Sequence, residues 1–399
     1  MATFETRFLG CKVSFADGQA IRERLLADGH TETSDVADIA VINTCCVTNE
    51  AVAKSRQAAA RAARTHSRVY LTGCAANLPD NPFAGMPENV KVISRRSEDV
   101  ADAVAGDVGA IACVQAHHRL ERVRAFVKIQ DGCSFSCAFC VIPLVRGATR
   151  SRTADAVLAE IRRRVAQGHR EVVLTGVNLG CFRDRAAGLT LAGLVRAAGA
   201  IEGLARLRLS SIEINHVTPE LLDAMRETRI LARHLHVPLQ SGDDAVLRAM
   251  GRRYTIGQVK ARLERCADFN LTTDVIVGFP TEDDRAFEKT MTVIADIGIS
   301  RIHAFPYSPR PGTRTAGDDP VRPQVKRERS SRLRAASDAA CRARWARRVG
   351  SEDIVLVDRP GLGYADDYTP WFVDAPVGSL VQARAVGVSE DGVLAVACD

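Results

Sequence analysis

The sequence predicts a mixed α/β protein in three parts: an N-terminal parallel-sheet α/β domain, a central partial (β/α)6 barrel and a small C-terminal all-β barrel. Three observations predict it. Short apolar runs alternate with helical stretches from the start of the chain, the pattern of parallel strands joined by crossover helices. Six further strand–helix units follow, fewer than the eight of a closed barrel. After a long basic helix, the chain breaks into short strands separated by Gly, Asp and Pro.

In the first part, residues 4–9 form a strand leading to Gly10-Cys11, and a helix is expected over 19–28. Residues 39–42 are the next strand, closed by Asn43-Thr44-Cys45, and an Ala-rich helix covers 49–64. The strand 69–71 is followed by Thr72-Gly73-Cys74. Residues 104–118 have weak periodicity and read as a connection, which places the domains at 1–118, 119–348 and 349–399. The barrel strands are expected at 125–130, 172–177, 206–212, 234–239, 273–279 and 301–307. Between them, Thr218-Pro219-Glu220 has the N-cap, first-turn proline and early acid that open a helix. The tail strands are 354–357, 369–373, 380–388 and 393–396.

The 399 residues suit two or three domains at a prior of roughly 150 residues each. No run approaches the roughly 18–20 apolar residues of a membrane span, and the N-terminus lacks a signal peptide's basic and apolar blocks. The expectation is a cytoplasmic protein with no membrane partner. Twelve cysteines are many for that compartment, where disulfides are rare, so metal binding or catalysis is favoured. Cys113, Cys181, Cys266, Cys341 and Cys398 read as small buried hydrophobes. Charge is unevenly spread. Residues 321–348 hold ten Lys or Arg against two acids, whereas 349–399 hold two Arg against nine acids. A concentrated basic helix suits a polyanion; a solvated helix face has the same composition.

Cys133, Cys137 and Cys140 follow the first barrel strand through Asp131-Gly132, with spacing C-x3-C-x2-C. Three thiolates on an iron–sulfur cube leave one iron open to a small chelating ligand. A structural zinc would need a fourth ligand, and Cys181 is a candidate. Spacing alone leaves both open. With Phe139 just before its third cysteine, the segment resembles the radical S-adenosylmethionine (SAM) superfamily. That resemblance implies a 4Fe–4S cluster whose open iron chelates SAM, reductive cleavage to a 5′-deoxyadenosyl radical, and a partial barrel. It also directs attention to polar residues at strand ends: Gly176 and Asn178 after the second strand, Ser211 and Glu213 after the third, and Gln240 after the fourth.

Cys11, Cys45 and Cys74 each end a predicted parallel strand, so they share one edge of the first sheet, where α/β ligands bind. Cys46, beside Cys45, points elsewhere if the backbone is extended and reads as a spare. The segments 10–13, 42–45 and 71–74, with Arg146-Gly147, Arg150-Ser-Arg152, the stretch 236–242 and Arg310-Pro-Gly-Thr313, resemble the methylthiotransferases over nearly the whole chain. The resemblance implies a second 4Fe–4S cluster on Cys11, Cys45 and Cys74, and a tail like the TRAM module.

It further implies a two-cluster enzyme that uses SAM both as methyl donor and as radical source. A methylthio group would replace hydrogen on carbon 2 of an adenine in tRNA, with an electron donor such as flavodoxin or ferredoxin. Cys45-Cys-Val-Thr-Asn-Glu50 followed by Lys54-Ser-Arg-Gln57 resembles the branch acting on N6-threonylcarbamoyladenosine at tRNA position 37. The alternatives are isopentenyladenosine in tRNA, a ribosomal-protein aspartate, or a zinc-stabilised RNA-binding protein. Because an acidic tail should repel phosphate, the basic helix and the loop Arg146–Arg152 are expected to supply most RNA attraction. The tail would then contribute shape or base contacts.

Overall fold

The computed structural model describes residues 2–33, 37–94, 97–109 and 123–398; Cys113 and most of the expected connection lie outside them. The chain forms two compact units that interleave in sequence. One comprises Met1–Arg119, Asp131–Arg150 and Ser308–Gly317, the other Leu120–Gln130, Ser151–Tyr307 and Asp318–Asp399.

The first unit is built on a five-stranded sheet ordered Thr31–Glu32, Thr3–Phe8, Ile39–Thr44, Arg68–Gly73, Val90–Val92, with every pairing parallel. Ile39–Thr44 is buried at every position because helices cover both faces. Alternate residues divide accordingly. Ile39, Val41 and Tyr70 pack with Ile21 and Leu25 of the helix Lys12–Ala27, whereas Ala40, Ile42 and Leu71 pack with Ala58, Ala59 and Ala62 of the helix Asn49–Ala62. The first helix starts at Lys12, well before the expected residue 19, because its opening turns bury Ser14 and Asp17 and so lack apolar periodicity. A third helix, Ser97–Val108, reaches into the stretch read as a connection.

The second unit contains the six parallel barrel strands: Arg124–Asp131, Glu171–Gly176, Arg206–Leu209, His234–His236, Asn270–Val277 and Arg301–Pro306. Parallel bridges Leu207–Leu231 and Ser211–His236 join the third strand to the fourth, giving one run of six. Val127, Ile129, Leu174, Leu207, Leu235, Val275 and Ile302 face the helices in one hydrophobic core. Thr218 caps the helix Pro219–Glu227 as expected, accepting a hydrogen bond from Leu221 N–H.

The tail closes into a five-stranded barrel ordered Glu352–Arg359, Leu362–Tyr364, Pro370–Phe372, Val393–Ala397, Leu380–Val388. Fully buried Trp371 centres its core, joined by Cys341 and Trp345 from the basic helix Pro323–Ala346. Leu362–Tyr364 was not expected, because its Pro360-Gly-Leu-Gly context reads as a separator.

Three of the tail's nine acids pair with arginines of their own unit that lie outside the tail. Asp358 pairs with Arg124 at 2.8 Å, Asp367 with Arg344 at 2.6 Å, and Asp353 with Arg348. Arg206 donates to the carbonyls of Tyr364 and Ile354 at 2.7 and 2.9 Å. Several of the arginines expected to attract RNA have partners within the protein. Arg344 and Arg348 are held by tail carboxylates, Arg152 pairs with Glu160, Arg150 with Asp131, and Arg146 is buried. Arg327, Arg334, Arg342 and Arg347 remain exposed on or just beyond the helix. Among the described residues, no helix is long and apolar enough to cross a membrane.

Candidate functional site

The first unit brings both cysteine sets into one compact body. The strands leading to Cys11, Cys45 and Cys74 are immediate neighbours, with Phe8 opposite Asn43 and Thr44 opposite Gly73. Their carboxyl ends therefore lie side by side, as strand placement predicted. Cys11 occupies the N-cap position of its helix, but its sulfur does not cap it. Cys74 opens a short 3-10 turn and is buried. Gly73 makes that turn possible. Its φ is +89°, and a Cβ there would sit 2.3 Å from Asn43 Oδ1.

The thiols sense one another. Burial pushes the Cys45 thiol up to about 11, and the nearby sulfurs of Cys74 and Cys11 add to the rise. Cys74 moves the other way, to about 6. A hydrogen bond from the Cys46 thiol is the main cause, and the Arg146 guanidinium adds to it against the cost of burial. Cys46, read as a spare that points elsewhere, is fully buried, and its sulfur meets Cys74.

Two buried arginines serve this edge. Arg146 donates Nε–H to Cys74 Sγ at 3.0 Å and reaches Asp17 at 2.9 Å and Asp131 at 3.1 Å. Arg310, 3% exposed, donates to Asn49 Oδ1 at 2.9 Å, while its Nε and one terminal nitrogen have no protein partner. Its positive charge acts on Cys45 and Cys46. Thiolates flanked by buried cations suit an anionic iron–sulfur cluster. Sequence reasoning missed both roles: it gave Arg146 to RNA and Arg310 none. The one available signal was the position of Arg146, six residues past Cys140.

The second set lies on the loop that continues the first barrel strand. Cys133, Cys137 and Cys140 are all half-buried. Cys133 N–H donates to Gly147 O at 3.0 Å, and Cys140 N–H to Cys137 O at 3.3 Å. Gly132, at φ +67°, brings the loop so close to Ala148 that a Cβ would lie 2.1 Å from its carbonyl oxygen. The 308–317 segment braces the loop: Thr315 donates its N–H and hydroxyl to Ala138 O, and Arg314 donates to Ser136 O. Phe139 is half-buried.

Within the second unit, the strand-end residues differ in state. Asn178 N–H donates to Gln130 Oε1 at 2.7 Å, and Gly176 lies so close to Gln130 that a Cβ would be 3.0 Å away. Ser211 bridges to His236. Its neighbour Ser210 is buried, with no hydrogen-bond partner for its hydroxyl. The Glu213 carboxylate accepts from Asn215 N–H at 2.8 Å and pairs with Arg252 at 3.3 Å. Gln240 sits at φ +70°, a strained conformation for a residue with a side chain. Cys181 contacts His216 Nε2 at 3.4 Å.

The chain has relatives among known proteins. The Radical SAM superfamily matches residues 127–294, and the family described as "Uncharacterized protein family UPF0004" matches residues 3–94. The chain is 33% identical to the threonylcarbamoyladenosine tRNA methylthiotransferase MtaB of Chlamydia pneumoniae, over 98% of this chain and 97% of that one. It is also 33% identical to the tRNA-2-methylthio-N(6)-dimethylallyladenosine synthase of Novosphingobium aromaticivorans, over 96% and 95%. Among solved structures it is similar in fold to the radical SAM methyltransferase TsrM from Kitasatospora setae. The TM-score is 0.57 at 14% identity, covering 79% of this chain and 77% of that one.

Proposed function

The chain belongs to the radical SAM tRNA methylthiotransferases, which use 4Fe–4S clusters and SAM, and we propose that it acts on carbon 2 of N6-threonylcarbamoyladenosine at tRNA position 37. Overall identity does not choose between the two substrate branches. The observation that carries the choice is the segment Cys45-Cys-Val-Thr-Asn-Glu50 with Lys54-Ser-Arg-Gln57.

Cys133, Cys137 and Cys140 would hold the cluster that receives SAM, and Cys11, Cys45 and Cys74 the auxiliary cluster. When bound, these groups supply the hydrogen-abstracting radical and the methylthio sulfur. The chain's own residues hold and orient them. Arg146 and Arg310 balance thiolate charge at the auxiliary edge. Gly176, Asn178, Ser211 and Gln240 are assigned to SAM from their place at the strand ends, where barrel enzymes bind substrates. Phe139 flanks Cys140, and Glu213, held by Arg252, shapes the end of the third strand. The reductant is a small one-electron carrier such as flavodoxin or ferredoxin, and the compartment is the cytoplasm, where these thiols stay reduced.

Mass spectrometry of tRNA nucleosides from a deletion strain tests the substrate. Loss of the 2-methylthio mark on threonylcarbamoyladenosine, restored by the gene, is the expected result. Loss confined to the isopentenyl nucleoside would assign the other branch, and loss on neither would point to a protein aspartate.

The exposed arginines of the basic helix supply the RNA attraction in this reading. Changing Arg327, Arg334, Arg342 and Arg347 to Gln should flatten the log–log dependence of tRNA affinity on salt by about 0.7–0.9 for each lost phosphate contact. Arg344→Gln should leave that slope in place, because Arg344 is paired with Asp367. A slope unmoved by the fourfold variant removes this helix from the RNA surface.

A further inference from the structure

We propose that His236, Asp274 and His303, none of them a residue of the cysteine sets, form a site for a divalent transition-metal ion in the lumen of the barrel. The three residues stand on the adjacent fourth, fifth and sixth strands. Asp274 and His303 are direct partners across the last pair, and Thr272, two residues before Asp274, is opposite His236.

Strand alternation sets their direction. Leu235, Leu271, Val275 and Ile302 lie in the hydrophobic core toward the helices, so His236, Asp274 and His303 point to the opposite, lumen face. One ligand atom from each lies within 4.8 Å of the other two. His236 Nε2 is 3.1 Å from Asp274 Oδ1. Ligand atoms bound about 2.0–2.2 Å from a zinc-like ion are roughly 3.0–3.6 Å apart, so this pair already has the spacing of two neighbouring ligands.

The surroundings are those of a supported ligand. His236 Nδ1 is hydrogen-bonded to Thr272 Oγ1 at 2.9 Å, which fixes the ring and directs Nε2 to Asp274. Thr272 Oγ1 is also 2.9 Å from His234 Nε2. His236 is buried, Asp274 half-buried and His303 exposed, which leaves an entry path and open coordination positions on one side. Two imidazoles and one carboxylate are the donor set of facial sites for Fe(II) and related ions, whose remaining positions accept water or an oxygen ligand. The same 3.1 Å would serve a simple imidazole–carboxylate hydrogen bond, so the discriminating property is stoichiometric metal uptake.

The test is anaerobic titration of the cluster-loaded protein with Mn(II), following the free ion by its six-line EPR signal. Elemental iron and the visible spectrum check that both clusters stay intact. The expected result is one Mn(II) per chain, with affinity at least about tenfold weaker in Asp274→Asn and His303→Ala, and a smaller loss in Thr272→Val. No stoichiometric binding at millimolar Mn(II), or binding unchanged in either ligand variant, would overturn the three-ligand assignment. The titration contains no tRNA, so its outcome is independent of the nucleoside assigned above.

Discussion

Replacing Cys133, Cys137 or Cys140 with alanine is expected to reduce SAM cleavage to the background of the cluster-free protein. Replacing Cys11, Cys45 or Cys74 is expected to spare part of that cleavage while stopping methylthiolation. The first set follows a barrel strand in a loop closed by the Cys133–Gly147 hydrogen bond, and the second ends three neighbouring strands of the N-terminal sheet. Each set has its own backbone support, so losing one leaves the ligands of the other in place. The measurements are 5′-deoxyadenosine formed under reducing conditions and methylthio nucleoside formed on tRNA, both normalised to iron bound. Equal loss of cleavage in all six variants would show that the two sets act as one site. Cys46→Ala provides the internal contrast. It removes a hydrogen bond to Cys74 and is expected to weaken iron retention at the auxiliary edge, leaving SAM cleavage intact.

Arg146→Met is expected to be among the most destabilising single changes in the first unit. The guanidinium is 6% exposed and joins Cys74, Asp17 and Asp131, two of which are buried carboxylates. Removing one partner from a buried ionic network leaves uncompensated charge and costs about 3–5 kcal/mol. Urea unfolding of the cluster-free chain reads this directly. The effect has a pH signature. Cys74 is held at about 6, first by the Cys46 hydrogen bond and then by Arg146, against about 8.5 for a free thiol. A group with a lowered folded pKa contributes stability above its unfolded value and loses it as pH falls through the folded one. Part of the parent's advantage over Arg146→Met should therefore fade as pH falls through about 6. The part owed to Asp17 and Asp131 should persist until those carboxylates protonate. A pH-independent difference would mean that Cys74 is not a thiolate partner of Arg146. Arg146→Lys should recover part of the stability, because it keeps the charge but loses the branched reach to three acceptors.

Much of the fold was legible from local pattern. The strands Ile39–Thr44 and Glu171–Gly176 each hold an unbroken apolar stretch, residues 39–42 and 172–174, because both faces are covered. Thr218-Pro219 fixed a helix start because capping is chemistry between near neighbours. The elements that escaped were those whose residues answer to distant partners. Lys12–Ala27 buries Ser14 and Asp17 in its first turns, and Asp17 belongs there because Arg146 meets it. Leu362–Tyr364 is a strand only because the neighbouring strands of a closed barrel complete its hydrogen bonds.

The same division holds for the chemistry. The six cysteines, the loop spacing and the strand-end positions were present in the sequence by itself, because spacing along a chain and placement at strand ends are local properties. What those thiols face was decided only by tertiary structure. The fold buries Arg146 against Cys74, sets the Arg310 charge near Cys45 and Cys46, turns Cys46 onto Cys74, and uses the tail's acids to hold arginines that were expected to face RNA. The physical reason is that charge is compensated by whichever opposite group lies within a few ångströms. Arg146 and Cys74 are 72 residues apart, and nothing in the sequence around either announces the other.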